Sequence, residues 1–122
     1  MKAKTMLALS AAAVSSALAV RDLRVYADAS FGAVSHYLDK SGLECDAVVH
    51  LRNGTYGLVE IKLGGDTLVN EGASTLNALA RIVDTSRMKT PSFKMVLTAV
   101  GDVVYRRKED GVIVCPISAL RP

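Results

Sequence analysis

Two apolar, β-branched runs, residues 43–51 and 55–63, meet at Asn53-Gly54, and no other stretch limits the possible folds so sharply. A β-hairpin is the direct reading of that pattern. Its loop length fixes what each face carries. A two-residue Asn53-Gly54 loop sets Arg52 opposite Thr55 and Asp46 opposite Ile61, which mixes polar and apolar side chains on both faces. A three-residue loop, Arg52-Asn53-Gly54, is a type I turn followed by Gly54 in the left-handed conformation, and it sets Leu51 opposite Thr55. Cys45, Ala47, Val49 and Leu51 then share a wholly apolar face with Gly57, Val59, Ile61 and Leu63. Burial of that face, at about 25 cal/mol per Å², selects the three-residue register. The same register puts Asp46 opposite Glu60 and Glu44 opposite Lys62.

The flanking chain supplies the rest of a small α/β domain. Leu23, Tyr26 and Ala27 have helical spacing within residues 20–30, and Ser30-Phe31-Gly32 ends that helix. Residues 33–38 read as a short strand, and Asp39-Lys40-Ser41-Gly42 as a turn. After the hairpin, Gly64-Gly65 breaks the strand and Asp66 is placed as the N-cap of a helix. Leu68, Val69, Ala73, Leu76, Leu79, Ala80 and Val83 carry that helix to about Asp84. Residues 85–92 form a polar connection, followed by strands at 93–99, 103–107 and 112–115. Pro116 ends the last strand, and residues 117–120 form a final short turn.

At 122 residues the chain forms a single domain over residues 20–122, with an alanine-rich segment, residues 1–19, before it. Hydrophobic residues make up 50% of the chain, which places it among globular proteins. The net charge of +3 says little about nucleic acid. Lys2 and Lys4 lie in the first segment, and without them 13 basic residues face 12 acidic ones. Residues 1–19 have a signal-like form, with two lysines, an apolar stretch and Ala17-Leu18-Ala19. The alternatives are export, with a mature chain beginning at Val20, and a cytoplasmic protein whose first helix has been replaced or truncated. The latter is preferred, and no stretch reads as a transmembrane helix. Cys45 and Cys115 lack zinc-ligand spacing and sit among apolar residues, as buried free thiols do.

Chemistry concentrates on the hairpin. Magnesium prefers oxygen ligands and keeps several waters, so Asp46, Glu60 and the backbone carbonyl of Ile61, completed by a substrate phosphate, suffice to hold it. Manganese fits the same donors. Lys62 projects from the same face as Glu60, where an ammonium stabilises charge developing on a phosphate. Glu44 is an accessory candidate, as a further ligand or as the partner of Lys62. The plainer reading is a cross-strand ion pair on a solvated face, worth about 0.2–1 kcal/mol. His36 and His50 read as surface residues. Arg106-Arg107-Lys108 reads as a solvated strand end, partly cancelled by Glu109-Asp110. No nucleophile elbow supports a serine hydrolase, and no GxxxxGK[ST] run supports a nucleotide site.

Gly42-Leu43-Glu44-Cys45-Asp46, the hairpin, and Val59-Glu60-Ile61-Lys62 together resemble the active-site pattern of the PD-(D/E)XK nuclease superfamily. The blocks RDLRVYA, DKSGLECDAVVHLRNG, GLVEIKLGG and DGVIVCPISAL are similar to the C-terminal domain of unknown function that follows the ATPase in a family of prokaryotic AAA-type ATPases. The likeness spans residues 18–122. It implies a restriction-endonuclease-like αβββαβ core, a mixed sheet flanked by helices. It also implies Asp46 and Glu60 as metal ligands, Lys62 as the catalytic lysine, and magnesium or manganese as cofactor. The implied partners are DNA or RNA, an ATPase domain, or a second copy of the chain. In that family the first helix carries a Phe-Glu pair before the Arg-Asp-Leu block, and Ser15 and Ser16 stand at those places here. The resemblance therefore leaves two expectations side by side: a magnesium-dependent nuclease-type hydrolase, and a non-catalytic binding or regulatory module that keeps the nuclease fold.

Overall fold

A computed structural model describes residues 33–38, 42, 44–51, 54–85 and 89–119. The helix expected at residues 20–30, the segment 1–19 with Ser15 and Ser16, and the loop residues Arg52 and Asn53 lie outside the described residues. The described chain is α/β. Strands β1 (Ala33–Leu38), β2 (Glu44–His50) and β3 (Tyr56–Lys62) are followed by helix α1 (Asp66–Thr85). Then come β4 (Phe93–Thr98), β5 (Tyr105–Arg106), β6 (Ile113–Pro116) and a 3₁₀ turn, Ile117–Ala119.

The six strands make one mixed sheet in the order β1-β2-β3-β4-β6-β5. β1 pairs antiparallel with β2, and β2 with β3, as short hairpin connections require. β3 and β4 are parallel, and α1 is the crossover that this geometry demands. β4 and β6 are also parallel, and β5 pairs antiparallel with β6 at the sheet edge.

The β2–β3 register is the one that apolar burial selects. Ala47 pairs with Val59, Val49 with Gly57 and His50 with Tyr56. Leu51 N–H donates to the Thr55 carbonyl at 2.9 Å, and Gly54 N–H to the Leu51 carbonyl at 3.1 Å. Gly54 has φ +85°, the left-handed value that this turn needs and a side chain disfavours.

Each sheet face carries its own core. On the α1 side, Val48, Tyr56, Leu58, Val96, Val112 and Val114 pack against Val69, Ala73, Leu76 and Leu79. Those four helix positions fall on one stripe at 3–4-residue spacing. On the opposite face Ala47, Val49, Val59, Ile61, Met95, Leu97 and Cys115 form the second cluster.

Four expectations need correction. Cys45 leaves the Ala47/Val49 face and joins the α1-side cluster. The cause is a bulge: Ser35 pairs with Val48 but Tyr37 with Cys45, so two steps on β1 meet three on β2. Leu63 lies past the end of β3 and is exposed instead of completing that apolar face. Gly65, not Asp66, is the N-cap, because its carbonyl accepts the first helical bond, from Val69 N–H at 3.0 Å. Asp66 stands in the first turn, where its charge favours the helix dipole. The strand expected at 103–107 shrinks to Tyr105–Arg106, since the β5–β6 register would set Val103 against Pro116, which has no N–H. Among the described residues no helix is long and apolar enough to cross a membrane.

Candidate active site

The β2–β3 ladder is regular from His50–Tyr56 to Ala47–Val59 and then changes character. At the next pair, Asp46 and Glu60, side chains replace backbone groups. Asp46 N–H donates to Glu60 Oε1 at 3.2 Å, and Ile61 N–H donates to Asp46 Oδ2 at 2.8 Å. Each carboxylate thus caps an amide beside the other. Oδ1 of Asp46 and Oε2 of Glu60 stand outside these two bonds. The bulge of β2 against β1 falls in the same stretch, between Cys45 and Val48.

Burial and charge act together on Glu60. Only 6% of its surface is exposed. Burial first, and then the negative charge of Asp46, push its carboxyl up to about 7; the Asp46 N–H and the Lys62 ammonium pull the other way. Glu44 adds a smaller repulsion. The repulsion between the two carboxylates is one that a proton or a cation relieves.

Lys62 ends β3 two residues from Glu60 and therefore leans to the same side of the strand. Its ammonium meets Glu71 of α1, with Nζ 3.8 Å from Oε2. Sequence reasoning gave Lys62 the partner Glu44 and missed Glu71. Glu44 instead lies 3.8 Å from His36 Nε2, with both side chains exposed. One available cue to Glu71 was the neighbouring Gly72, a residue costly within a helix unless the chain passes close to something there.

The donor set fits a hard divalent cation such as magnesium. Among the described residues no three His, Cys, Asp or Glu side chains gather around one point, so two carboxylates are the side-chain share. The Ile61 N–H faces β2, and in a strand the carbonyl of a residue points the same way as its N–H. That carbonyl is therefore directed at the gap that Asp46 occupies.

The remaining candidates have structural tasks. His50 is exposed, and its Nε2 sits 2.7 Å from Ser35 Oγ. Arg107 is mostly buried, its Nη1 donates to Asn70 Oδ1 at 2.8 Å, and Glu109 and Asp110 lie 3.2 and 3.3 Å from Nε. These contacts neutralise the middle of the Arg106-Arg107-Lys108 run. Cys45 and Cys115 are free and buried, in different clusters. Burial pushes the Cys45 thiol up to about 12, and its Sγ lies 3.2 Å from the Ala47 carbonyl oxygen, which suits an inert core thiol.

No family model, curated protein or solved structure matches the chain.

Proposed function

We propose that the end of the β2–β3 seam is a magnesium-dependent phosphodiesterase site of the PD-(D/E)XK nuclease type. The domain is then related to the one that follows the ATPase in prokaryotic AAA-type ATPases, with a restriction-endonuclease-like core, and acts on DNA or RNA. One observation carries the reading: Asp46 and Glu60 meet just past the last paired residues of the β2–β3 ladder, and Lys62 leans to the same side. Asp46, Glu60 and the Ile61 carbonyl are the groups that would hold magnesium or manganese, with waters and a phosphate oxygen completing the shell. The ion would polarise the phosphate and lower the pKa of a bound water. Lys62 contributes a fixed positive charge for the phosphate oxygens.

The second reading is a non-catalytic module, docking on an ATPase or on a second copy. The two carboxylate–amide bonds favour it, since they already close the end of the seam. A magnesium titration by calorimetry, paired with cleavage assays on single- and double-stranded DNA and RNA, separates the two. The nuclease reading expects binding in the wild type that is lost in Asp46→Ala and Glu60→Ala. It expects Lys62→Ala to keep metal binding and lose cleavage by about 100-fold or more. A folded wild type that neither binds the ion nor cleaves any substrate supports the module instead.

A further inference from the structure

Residues 71 and 72 of α1 treat the two ends of the Lys62 side chain differently. The helix lies so close to the sheet at Gly72 that a Cβ there would stand 3.1 Å from Val96 Cγ2 and 3.4 Å from Lys62 Cγ. The lysine stem therefore passes beside the bare helix backbone, and the tight contact that a methyl at 72 would make is with Val96. Glu71, one position earlier, meets the ammonium at 3.8 Å. The lysine side chain is 26% exposed and the glutamate 60%, so the cation is the more enclosed member.

Lys62 has a second set of anionic neighbours in Glu60, two residues back, and in Asp46 beside it. An ammonium drawn onto those carboxylates would occupy the place of a metal ion. One drawn aside leaves that place open while remaining near enough to meet a phosphate.

We infer that Glu71 is a positioning residue for Lys62, holding the ammonium at the α1 edge of the site and off the Asp46–Glu60 pair. The role rests on the phosphodiesterase reading of that pair. The lysine stem lies along the helix at Gly72, and Glu71 fixes the head group. In this arrangement the carboxylates serve the metal and the ammonium serves the non-bridging oxygens of the phosphodiester. Glu71 touches neither the metal nor the substrate.

The test uses the full chain with ¹³C-labelled lysine, the Lys62 Cε–Hε signal being assigned through Lys62→Arg. In Glu71→Gln that signal moves and sharpens while those of the other lysines stay in place, and Glu71→Asp returns it towards the wild-type position. Magnesium binding weakens in Glu71→Gln, because the released ammonium competes for the carboxylates. Cleavage shows kcat reduced about tenfold, with KM held within about twofold. An unmoved Lys62 signal in Glu71→Gln overturns the positioning role, whatever the cleavage assays give. Unchanged magnesium affinity in Glu71→Gln overturns it as well. Failure of the phosphodiesterase reading shows separately, in the wild type itself, which then binds no magnesium and cleaves nothing, or keeps both properties in Asp46→Ala.

Discussion

Glu60 sits in a conflict between burial and ionisation. Its carboxyl titrates near 7 in the folded protein against an ordinary value of 4.5, first because it is buried and then because Asp46 is beside it. Between those two values the folded chain keeps a proton that the unfolded chain has already lost. Stability is therefore highest below about pH 4.5 as far as this group is concerned, and it falls as pH rises towards 7, by up to about 3 kcal/mol. Glu60→Gln removes the penalty and keeps an oxygen for the Asp46 N–H. The variant is expected to be about 2 kcal/mol more stable than wild type at pH 8 and similar to it near pH 4.5, as read from urea midpoints. A wild-type midpoint that is flat between pH 5 and 8 would contradict the burial of this charge. Under the proposed function the proton and the ion compete, so magnesium affinity should rise with pH through 7 and level off above it. Calorimetric titrations at pH 6, 7 and 8 check that directly.

At the scale of elements, the hairpin was legible because one register alone gives an unbroken apolar face, and burial of Ala47, Val49, Val59 and Ile61 enforces it. Helix α1 was legible within a residue at its C-terminal end, because its apolar positions keep a single stripe. The β2 bulge was not. One extra residue changes the face of Cys45 without altering any local pattern, and the mismatch exists only against β1. The pairing of Lys62 was hidden for a similar reason: Glu71 is nine positions away and meets it only through the packing of α1 on β3. Gly57 shows how tightly the sheet faces are filled. A Cβ at residue 57 would lie 2.1 Å from Cζ of Phe93, which covers the glycine from β4. Gly57→Ala is expected to cost about 1–3 kcal/mol by displacing that ring. The cost should be smaller when Phe93 is already Leu, and equal penalties in the two backgrounds would show that the ring is not what opposes the methyl group.

At the scale of the molecule, the far edge of the sheet is fastened to the helix by polar groups as well as by packing. Lys94 Nζ donates to Asn77 Oδ1 at 2.7 Å, and Asn77 Nδ2 donates to Asp110 Oδ2 at 2.9 Å. The other oxygen of Asp110 accepts Val112 N–H at 3.1 Å and lies 3.3 Å from Arg107 Nε, while Arg107 reaches back to Asn70. One chain of contacts therefore joins β4, the middle of α1 and the β5–β6 turn. Burial alone would raise the Asp110 carboxyl. The Asn77 amide, the Val112 N–H and the two cations outweigh burial and hold it below its ordinary value of 3.8. Its contribution to stability is accordingly present at neutral pH and is lost only as acid titrates the folded carboxyl below that value. Asn77 is the centre of the chain, since it bonds both Lys94 of β4 and Asp110 of the turn from α1. Asn77→Leu keeps the volume and leaves the Lys94 and Asp110 groups without this partner, at an expected cost of about 1–3 kcal/mol. The loss should be local. Amide exchange at Arg106, Arg107 and Val114 should accelerate well before that at Val49 and Val59, because β5 is short and exposed whereas the β2–β3 ladder is buried on both faces. Equal acceleration in both regions would mean that the network stabilises the domain as a whole and does not clamp its edge.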